Sequence, residues 1–413
     1  MNKQNSNFRW LVFASVLFTY LLMSSQRTAP GLITNQIMNE FQITASTIGL
    51  LASIQFFVYT GLQIPMGILA DRYGPNIFVI FGAILTGIGT MIYSLSTHES
   101  FLFVSRILTG IGDATIWVSL VLILSQWFNS REFVRFIGIA GMTGSLGFLL
   151  ATVPFSAWIH LLGWRGAFFT TGILLFLCGI LLYYILIQKP KQIFPNKLLI
   201  VNNETQREKM GELLRRISSN RQAWSLFFCH FGIVGAYVGF ISSWAVPHGM
   251  HVYGMTRSDA SQLIMIGLIG ALIGAPLITW ISSRLKRLKQ PYMVFHITVL
   301  LGWSCFLLFQ GHPPYFLLIM LFFIIGFGYG ANGLTFALVR KSFPNQESGI
   351  VSGFANTGGF LSAVLLPGIF GTILDHVQGA TGSLSAGYYY GFITPVVFSL
   401  IGLIGLLVMR EKG

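Results

Sequence analysis

The sequence predicts an all-α polytopic membrane protein, with twelve transmembrane helices in two pseudo-symmetric six-helix bundles. Three observations favour this fold class. The chain is 54% hydrophobic and only 9% charged, it contains twelve apolar stretches of spanning length, and its two halves repeat one another. A helix needs about 20 predominantly apolar residues to cross a bilayer, and soluble domains carry much more charge. These observations exclude a set of soluble domains.

One hydrophilic segment divides the apolar stretches into two groups of six. We predict an N-terminal bundle at residues 1–188, a cytoplasmic linker at 189–221 with a surface helix near 205–217, and a C-terminal bundle at 222–413. We expect Pro30-Gly31 to end the first helix, which we interpret as uncleaved. The predicted spans are 9–31, 47–69, 77–96, 101–126, 136–160, 166–188, 223–247, 261–281, 291–310, 314–340, 347–374 and 387–409.

The net charge of +13 would suit a nucleic-acid partner, but its distribution indicates a membrane. With a cytoplasmic N-terminus, all but four of the 25 lysines and arginines fall on cytoplasmic segments. This asymmetry follows the positive-inside rule. It predicts an integral protein of the inner membrane with both termini cytoplasmic, a lipid bilayer around it and no nucleic-acid partner. We expect a monomer. The four exceptions are Arg27, Arg106, Arg165 and Arg257.

The fourth span, residues 101–126, carries two ionisable side chains. Arg106 and Asp113 lie seven residues apart, so both leave one helix face, separated by about 10 Å along the axis. A charge at membrane depth costs at least about 2.5 kcal/mol and normally faces a partner or a water-filled cavity. A structural ion pair between helices and a charged cavity for a polar solute therefore both remain open. Counting helical rise places Arg27 closer in depth to Arg106 than to Asp113, so we do not expect Arg27 and Asp113 to pair directly.

Two motifs connect the chain with a known family. Gly67-Ile-Leu-Ala-Asp71-Arg72-Tyr-Gly74 ends the second span, and Arg106-x3-Gly110-x-Gly112 lies in the fourth. Together with the element Gly163-Trp-Arg-Gly-Ala-Phe168, they resemble the signatures of the major facilitator superfamily. The resemblance implies its two-bundle fold and assigns conformational gating to Gly67, Asp71, Arg72 and Gly74.

The halves also echo each other in sequence. Gly141-x5-Gly147-Phe-Leu recurs 212 positions later as Gly353-x5-Gly359-Phe-Leu, and Asp71-Arg72 returns as Ser283-Arg284. Repeated halves with a substrate site near the midplane are typical of secondary transporters.

Within the superfamily, the chain is most similar to the anion:cation symporters and organophosphate exchangers. Arg9-Trp10 followed by Arg27 resembles their first helix, and this implies that Arg27 binds an anionic group. Tyr59 matches a tyrosine near the symporters' substrate, and Asn356 fits a polar position of their eleventh helix. Asp113 matches an acid that takes part in proton coupling. Two departures concern Gln26, where the symporters often have an acid, and Asp113, which is a glutamate in them. The first leaves the stoichiometry open.

The chemistry of the residues agrees with this resemblance. Arginine offers a planar fork of donors that matches carboxylate or phosphate, and a carboxyl group next to it in a low dielectric can change protonation state. We therefore predict proton coupling through Asp113, Arg106 and His230, although a role as a hydrogen-bonded packing residue is favoured for His230. Further candidates for lining the substrate site are Gln55, Trp117, Tyr237, Trp244, Tyr329 and Asn332.

We expect Asp375-His376 to form a surface pair. The sequence contains no metal-ligand cluster, phosphate-binding loop or nucleophile–base arrangement, so we predict a transporter that is not an enzyme and has no cofactor. The leading hypothesis is an importer of a small organic anion, a carboxylate-bearing solute, driven by a proton gradient. The alternatives within this fold are an antiporter or exporter and an importer of amino acids, peptides or siderophores. A polytopic membrane enzyme or a transporter-like sensor is the alternative from another class.

Overall fold

A computed structural model describes residues 7–128, 130–189, 215–285 and 287–410, without the side chains at 64, 68, 71, 130, 131, 133–135, 137, 138, 283 and 345–349. The chain divides into two compact units. Unit 1 comprises residues 1–33 and 54–203, and unit 2 comprises residues 34–53 and 204–413. The linker helix predicted near 205–217 lies outside the described residues up to 214, and the three predicted domain ranges remain predictions.

Every regular element in the described ranges is helical. In unit 1, and in the 34–53 stretch of unit 2, the helices are α1 Phe8–Ser25, α2 Thr34–Phe41, α3 Ala45–Tyr73, α4 Pro75–Leu95, α5 Glu99–Trp127, α6 Ser130–Leu150 and α7 Val153–Tyr183. In the rest of unit 2 they are α8 Arg221–His230, α9 Ala236–Ser243, α10 Ala245–Tyr253, α11 Arg257–Leu285, α12 Lys289–Leu308, α13 Tyr315–Tyr329, α14 Gly333–Ser342, α15 Asn345–Thr381, α16 Leu384–Gly391 and α17 Ile393–Val408.

The described ranges contain eleven continuous helical segments that are long and apolar enough to cross a bilayer, and a shorter apolar helix at Ile139–Leu150. One of the eleven segments is interrupted within α7. Gly163 leaves the helical conformation there, at φ 69° and ψ 166°, a backbone region that glycine adopts without steric cost. The predicted polytopic helical fold is confirmed.

The first segment does not end at Pro30-Gly31, so that expectation was wrong. α1 ends at Ser25, and a 3₁₀ helix at Ala29–Ile33 leads directly into α2. Proline is tolerated in the first turn of a helix because its missing N–H would have no partner there. Pro30 thus lies at the start of a new helix, and the segment continues to Phe41.

Glycines allow close packing in unit 1. A Cβ at Gly82 would lie 2.8 Å from the carbonyl oxygen of Gly112 on α5, and one at Gly87 would lie 2.8 Å from that of Gly172 on α7. Small residues let transmembrane helices approach closely enough for backbone-to-backbone contact. α4 therefore packs tightly against both α5 and α7, which fixes the position of α5.

Unit 2 is built around aromatic side chains. Phe240 of α9 packs against Trp303, Phe370 and Phe392, with ring centroids 5.2 to 5.9 Å apart. Between α8 and α9 the chain forms one π-helical turn, Phe231–Gly235. Such turns insert an extra residue into a helix and are frequent near functional positions.

Asp375 does not form the surface pair predicted with His376. Its carboxylate accepts hydrogen bonds from the backbone N–H groups of Ala45 at 3.1 Å and Ser46 at 2.7 Å, and from the Ser46 hydroxyl. The first N–H groups of a helix lack intrahelical partners and attract negative charge. Asp375 of α15 therefore caps the N-terminus of α3.

Candidate functional site

The two motif glycines of α5 face different neighbours. A Cβ at Gly110 would lie 2.8 Å from the carbonyl oxygen of Gln55 on α3, and one at Gly112 would lie 2.7 Å from that of Gly82 on α4. α5 therefore contacts the backbone of both helices between Arg106 and Asp113. This packing brings the side chain of Gln55 between the two charged residues.

Asp113 is buried, with 1% of its surface exposed. Its Oδ2 accepts hydrogen bonds from Arg27 Nε at 3.2 Å and from Gln55 Nε2 at 3.1 Å. Its Oδ1 is also buried and has no hydrogen-bond partner among the described residues. Oδ2 of the carboxylate therefore has two hydrogen-bond donors, whereas Oδ1 has none among the described residues.

The direct contact between Arg27 and Asp113 contradicts the expectation from helical rise. That expectation assumed one continuous helix from Trp10 to Arg27. α1 instead ends at Ser25, and the next residues form a turn in which Arg27 N–H bonds to the Ser24 carbonyl oxygen. Helical rise compares only the depths of the backbones, whereas the long arginine side chain spans the remaining distance to the carboxylate.

Arg27 is 8% exposed and lies over an aromatic ring. Its guanidinium carbon is 4.7 Å from the centroid of Tyr59, and its Nη2 is buried without a hydrogen-bond partner in the described part of the chain. An aromatic face attracts a guanidinium cation. The arrangement holds the arginine in place and leaves donor capacity unused.

Arg106 is linked to Asp113 through an amide. Its Nη1 donates to Gln55 Oε1 at 3.1 Å, and its guanidinium carbon lies 4.1 Å from the Tyr93 ring centroid. Its Nη2, like that of Arg27, is buried and unpartnered within the described ranges. Two arginines and one carboxylate thus give the cluster Arg27–Gln55–Arg106–Asp113 an excess of one positive charge.

Trp117 lies one helical turn after Asp113. Its ring centroid is 5.7 Å from that of Tyr20, and its side chain packs against the apolar core of unit 1. The geometry brings Trp117 close to the cluster without a polar contact to it.

His230 makes a hydrogen-bonded contact in unit 2. Its Nδ1 lies 3.1 Å from the Thr335 hydroxyl, which is also 2.7 Å from the Tyr292 hydroxyl. Asn356 is within hydrogen-bonding reach of the same imidazole. The structure thus brings two predicted residues, His230 and Asn356, together, in an arrangement that also suits a packing histidine.

The remaining candidates of unit 2 do not form one cluster. Tyr237 and Tyr329 pack with ring centroids 4.8 Å apart, and Asn332 Nδ2 donates to the Tyr329 carbonyl oxygen at 3.0 Å. Trp244 donates from Nε1 to the Pro367 carbonyl oxygen at 3.1 Å and stacks on Phe370. Trp244 is therefore occupied in packing.

The predicted gating motif lies at the C-terminal end of α3. Gly67 faces α5, where a Cβ would lie 3.7 Å from Val118 Cγ1, and Arg72 is exposed above the Tyr73 ring. Gly74 adopts φ +92° and ends the helix before Pro75 starts α4. The Asp71 side chain lies outside the described residues.

Gln55 is more central to the cluster than the sequence analysis predicted. It was one of several lining candidates, although a glutamine facing two charged residues is the side chain best suited to join them. Its place in sequence, 51 residues before Arg106, gave no signal of that contact.

Comparison with known proteins connects this geometry to a family. The family model described as Major Facilitator Superfamily matches residues 12–367. The chain is 24% identical to a D-galactonate transporter of Escherichia coli O6:H1, over 97% of this chain and 94% of that protein. It is 22% identical to a probable hexose phosphate transport protein of Chlamydia trachomatis serovar D, over 87% of this chain and 83% of that protein.

A solved structure has the same fold. The crystal structure of a bacterial homolog of the human lysosomal transporter Spinster, in an inward-facing and occupied conformation, superposes with a TM-score of 0.75 at 16% identity. The match covers 98% of this chain and 96% of that chain.

Proposed function

Because the chain belongs to the major facilitator superfamily of membrane transporters, we propose that it imports a small organic anion together with a proton. Transport proceeds by alternating access, with a proton gradient as the energy source and no bound cofactor. The protein acts as a monomer in the inner membrane, with both termini cytoplasmic. The contact between Arg27 and Asp113 is the observation that supports this proposal most directly.

The charge of the cluster favours an anionic substrate. Two guanidinium groups and one carboxylate lie buried together, and each arginine retains an unpartnered Nη2 among the described residues. A buried charge is costly without a partner. An incoming carboxylate or phosphate would supply the missing negative charge and accept hydrogen bonds from the arginine fork.

Competition for Arg27 supplies a coupling mechanism. While Asp113 is ionised, it holds Arg27 through Nε and repels a substrate anion. Protonation removes that negative charge, so the positive charge of Arg27 and its unpartnered Nη2 become available to the substrate, while Nε keeps its contact with Oδ2. Proton and anion then stabilise each other's binding, which is the thermodynamic requirement for symport.

A carboxylate such as a sugar acid is the substrate class we favour. The similarity to a D-galactonate transporter over nearly the whole chain supports it, whereas the similarity to a hexose phosphate transport protein supports a phosphorylated sugar. Both substrates pair an anionic group with hydroxyls. Amino acids, peptides and siderophores are the other candidates because they too present carboxylates to an arginine.

Reconstituted vesicles test the proposal. Thermal-shift screening against sugar acids, sugar phosphates and amino acids first identifies a ligand. We expect that ligand to accumulate in vesicles with an acidic exterior, and to collapse the pH gradient as it enters. Accumulation driven by the opposite gradient would indicate an antiporter, and binding without exchange of labelled for unlabelled ligand would indicate a sensor.

A further inference from the structure

Gln55 bridges the two charged residues of α5, and nothing else described in the cluster contacts both. We propose that Gln55 is the positioning residue of the proton site, which holds Asp113 Oδ2 in place and leaves Oδ1 as the oxygen that takes the proton. This inference rests on the proposed function and deepens it. It assigns a role to a residue that the transport mechanism does not otherwise use.

The orientation of the Gln55 amide follows from the chemistry of its partners. An ionised carboxylate only accepts hydrogen bonds and a guanidinium only donates them. Nε2 must therefore face Asp113, at 3.1 Å, and Oε1 must face Arg106, also at 3.1 Å. Among the uncharged side chains, an amide of this length satisfies both partners at once. A glutamate, a leucine or a methionine would satisfy one of them at most.

The two oxygens of Asp113 differ in their surroundings. Oδ2 accepts from both Arg27 and Gln55, whereas Oδ1 is buried with no partner in the described ranges. A proton added to Oδ1 leaves both hydrogen bonds to Oδ2 intact, because the remaining carbonyl oxygen still accepts. A proton added to Oδ2 would displace one donor. The free oxygen is therefore the better site.

The other titratable side chains around Asp113 are phenols and guanidinium groups, and none of them is a carboxylate. Tyr20 of α1 and Tyr59 of α3 lie near Arg27, and Tyr93 of α4 lies under Arg106. Phenols ionise far above neutral pH, and arginine remains protonated. Asp113 is thus the carboxyl group of this cluster, and Gln55 is the neutral donor to it.

Backbone packing fixes Gln55 where it acts. A side chain at Gly110 would collide with the Gln55 carbonyl oxygen at 2.8 Å and with Val58 Cβ at 3.0 Å. The motif glycine therefore lets α5 approach α3 at the level of Gln55. This close approach keeps the amide within hydrogen-bonding distance of both charged residues.

Two substitutions at Gln55 test the proposal by transport. Gln55→Leu removes the donor to Asp113 and the acceptor for Arg106, whereas Gln55→Glu removes the donor and keeps the acceptor. Donors stabilise the ionised form, so their loss favours the protonated form. We expect the pH of half-maximal proton-driven uptake to move about one to two units higher in both variants. An unchanged pH profile in either folded variant overturns the proposal.

Gln378→Glu is the matched control. Gln378 is exposed at the C-terminal end of α15 and is not part of the cluster, so this variant undergoes the same chemical change on an exposed side chain. We expect a wild-type pH profile. An alkaline shift in the control equal to that of Gln55→Glu would mean that the added charge alone causes the effect, and would refute a positioning role.

Infrared difference spectroscopy on the purified protein tests the same proposal without transport. The C=O band of protonated Asp113 is identified by its loss in Asp113→Asn. In the wild type we expect a low-frequency band, since Oδ2 accepts two hydrogen bonds, and a shift to higher frequency in Gln55→Leu. A wild-type band at the frequency of a free carbonyl contradicts the proposal. A shifted band in a protein without proton-driven uptake would instead refute the proposed function and leave the positioning role intact.

Discussion

The two units differ in whether they bury charged side chains. Unit 1 buries Arg27, Arg106 and Asp113, whereas the buried titratable side chains described in unit 2 are histidines, tyrosines and a cysteine. In unit 2, buried hydrogen bonds such as that of His230 with Thr335 join imidazole and hydroxyl groups. A chain whose halves repeat in sequence therefore differs between them in buried charge. Among the described residues, unit 1 supplies the buried arginines and the buried carboxylate, and unit 2 supplies aromatic packing.

The largest expected effect comes from neutralising the carboxylate of unit 1. Asp113→Asn mimics the protonated form while it retains size and hydrogen bonding, so it should bind substrate and exchange labelled for unlabelled substrate. It should fail to accumulate substrate on a proton gradient. Vesicle uptake and counterflow measure the two activities separately.

A structural role for the Arg27–Asp113 pair gives another result for the same variant. Breaking a buried ion pair costs about 3–5 kcal/mol, so the protein would melt early and lose exchange and accumulation together. A stable Asp113→Asn protein with full accumulation would contradict both roles.

The next largest effect concerns the arginine of the pair. Arg27→Lys replaces a bidentate fork by a point charge, so we expect the apparent affinity for the anion to fall about 10- to 100-fold with folding retained. Concentration-dependent uptake gives this value. Arg165→Lys is the control, because Arg165 lies outside the cluster and donates to the Ser94 carbonyl oxygen. Wild-type affinity in Arg27→Lys would assign Arg27 a structural role.

A substitution at the His230 contact of unit 2 should change the stability of the protein and leave proton coupling unchanged. Thr335→Val removes the hydroxyl shared by His230 and Tyr292 and leaves both without that partner, which costs about 1–3 kcal/mol. We expect a lower melting temperature and an unchanged pH dependence of uptake. A shifted pH dependence would show that His230 takes part in proton coupling, and would end the contrast between the units.

The smallest effect is expected at the carboxylate of unit 2. Asp375→Ala removes the cap on α3 and should lower the free energy of unfolding by about 0.5–2 kcal/mol, while the affinity for the anion stays unchanged. Thermal unfolding and uptake kinetics measure both quantities. The neighbouring His376→Ala variant should behave like the wild type, and equal losses in the two variants would argue for the surface pair.

Much of the fold could be predicted from the sequence because membrane burial imposes a simple pattern. Apolar length located the spans, and glycines and charges marked Arg106 and Asp113. The end of the first helix was misplaced because Pro30 can start a helix as well as follow one. The contact between Arg27 and Asp113 was missed because helical rise gives the depth of a backbone and not the reach of an arginine side chain.

Contacts between distant residues were the other limit. The bridge from Gln55 to Arg106 and the cap from Asp375 to Ser46 depend on how helices pack, and no local pattern encodes them. The prediction for His230 left packing and proton transfer open because a single histidine carries no sign of its partners. The assignment of site residues therefore remains a prediction that the variants above will test.

The turn that carries Arg27 bears on how the substrate specificity of such a transporter can evolve. Arg27 follows the end of α1 at Ser25 and precedes the 3₁₀ helix at Ala29, so its two neighbours, Gln26 and Thr28, belong to no helix. Both neighbours are buried, with 2% and 4% of their surface exposed. A replacement at either position would therefore change the packing beside the guanidinium and leave Arg27 itself in place. If Arg27 binds the anion as proposed, these are the positions where a single mutation would alter substrate specificity and retain the arginine.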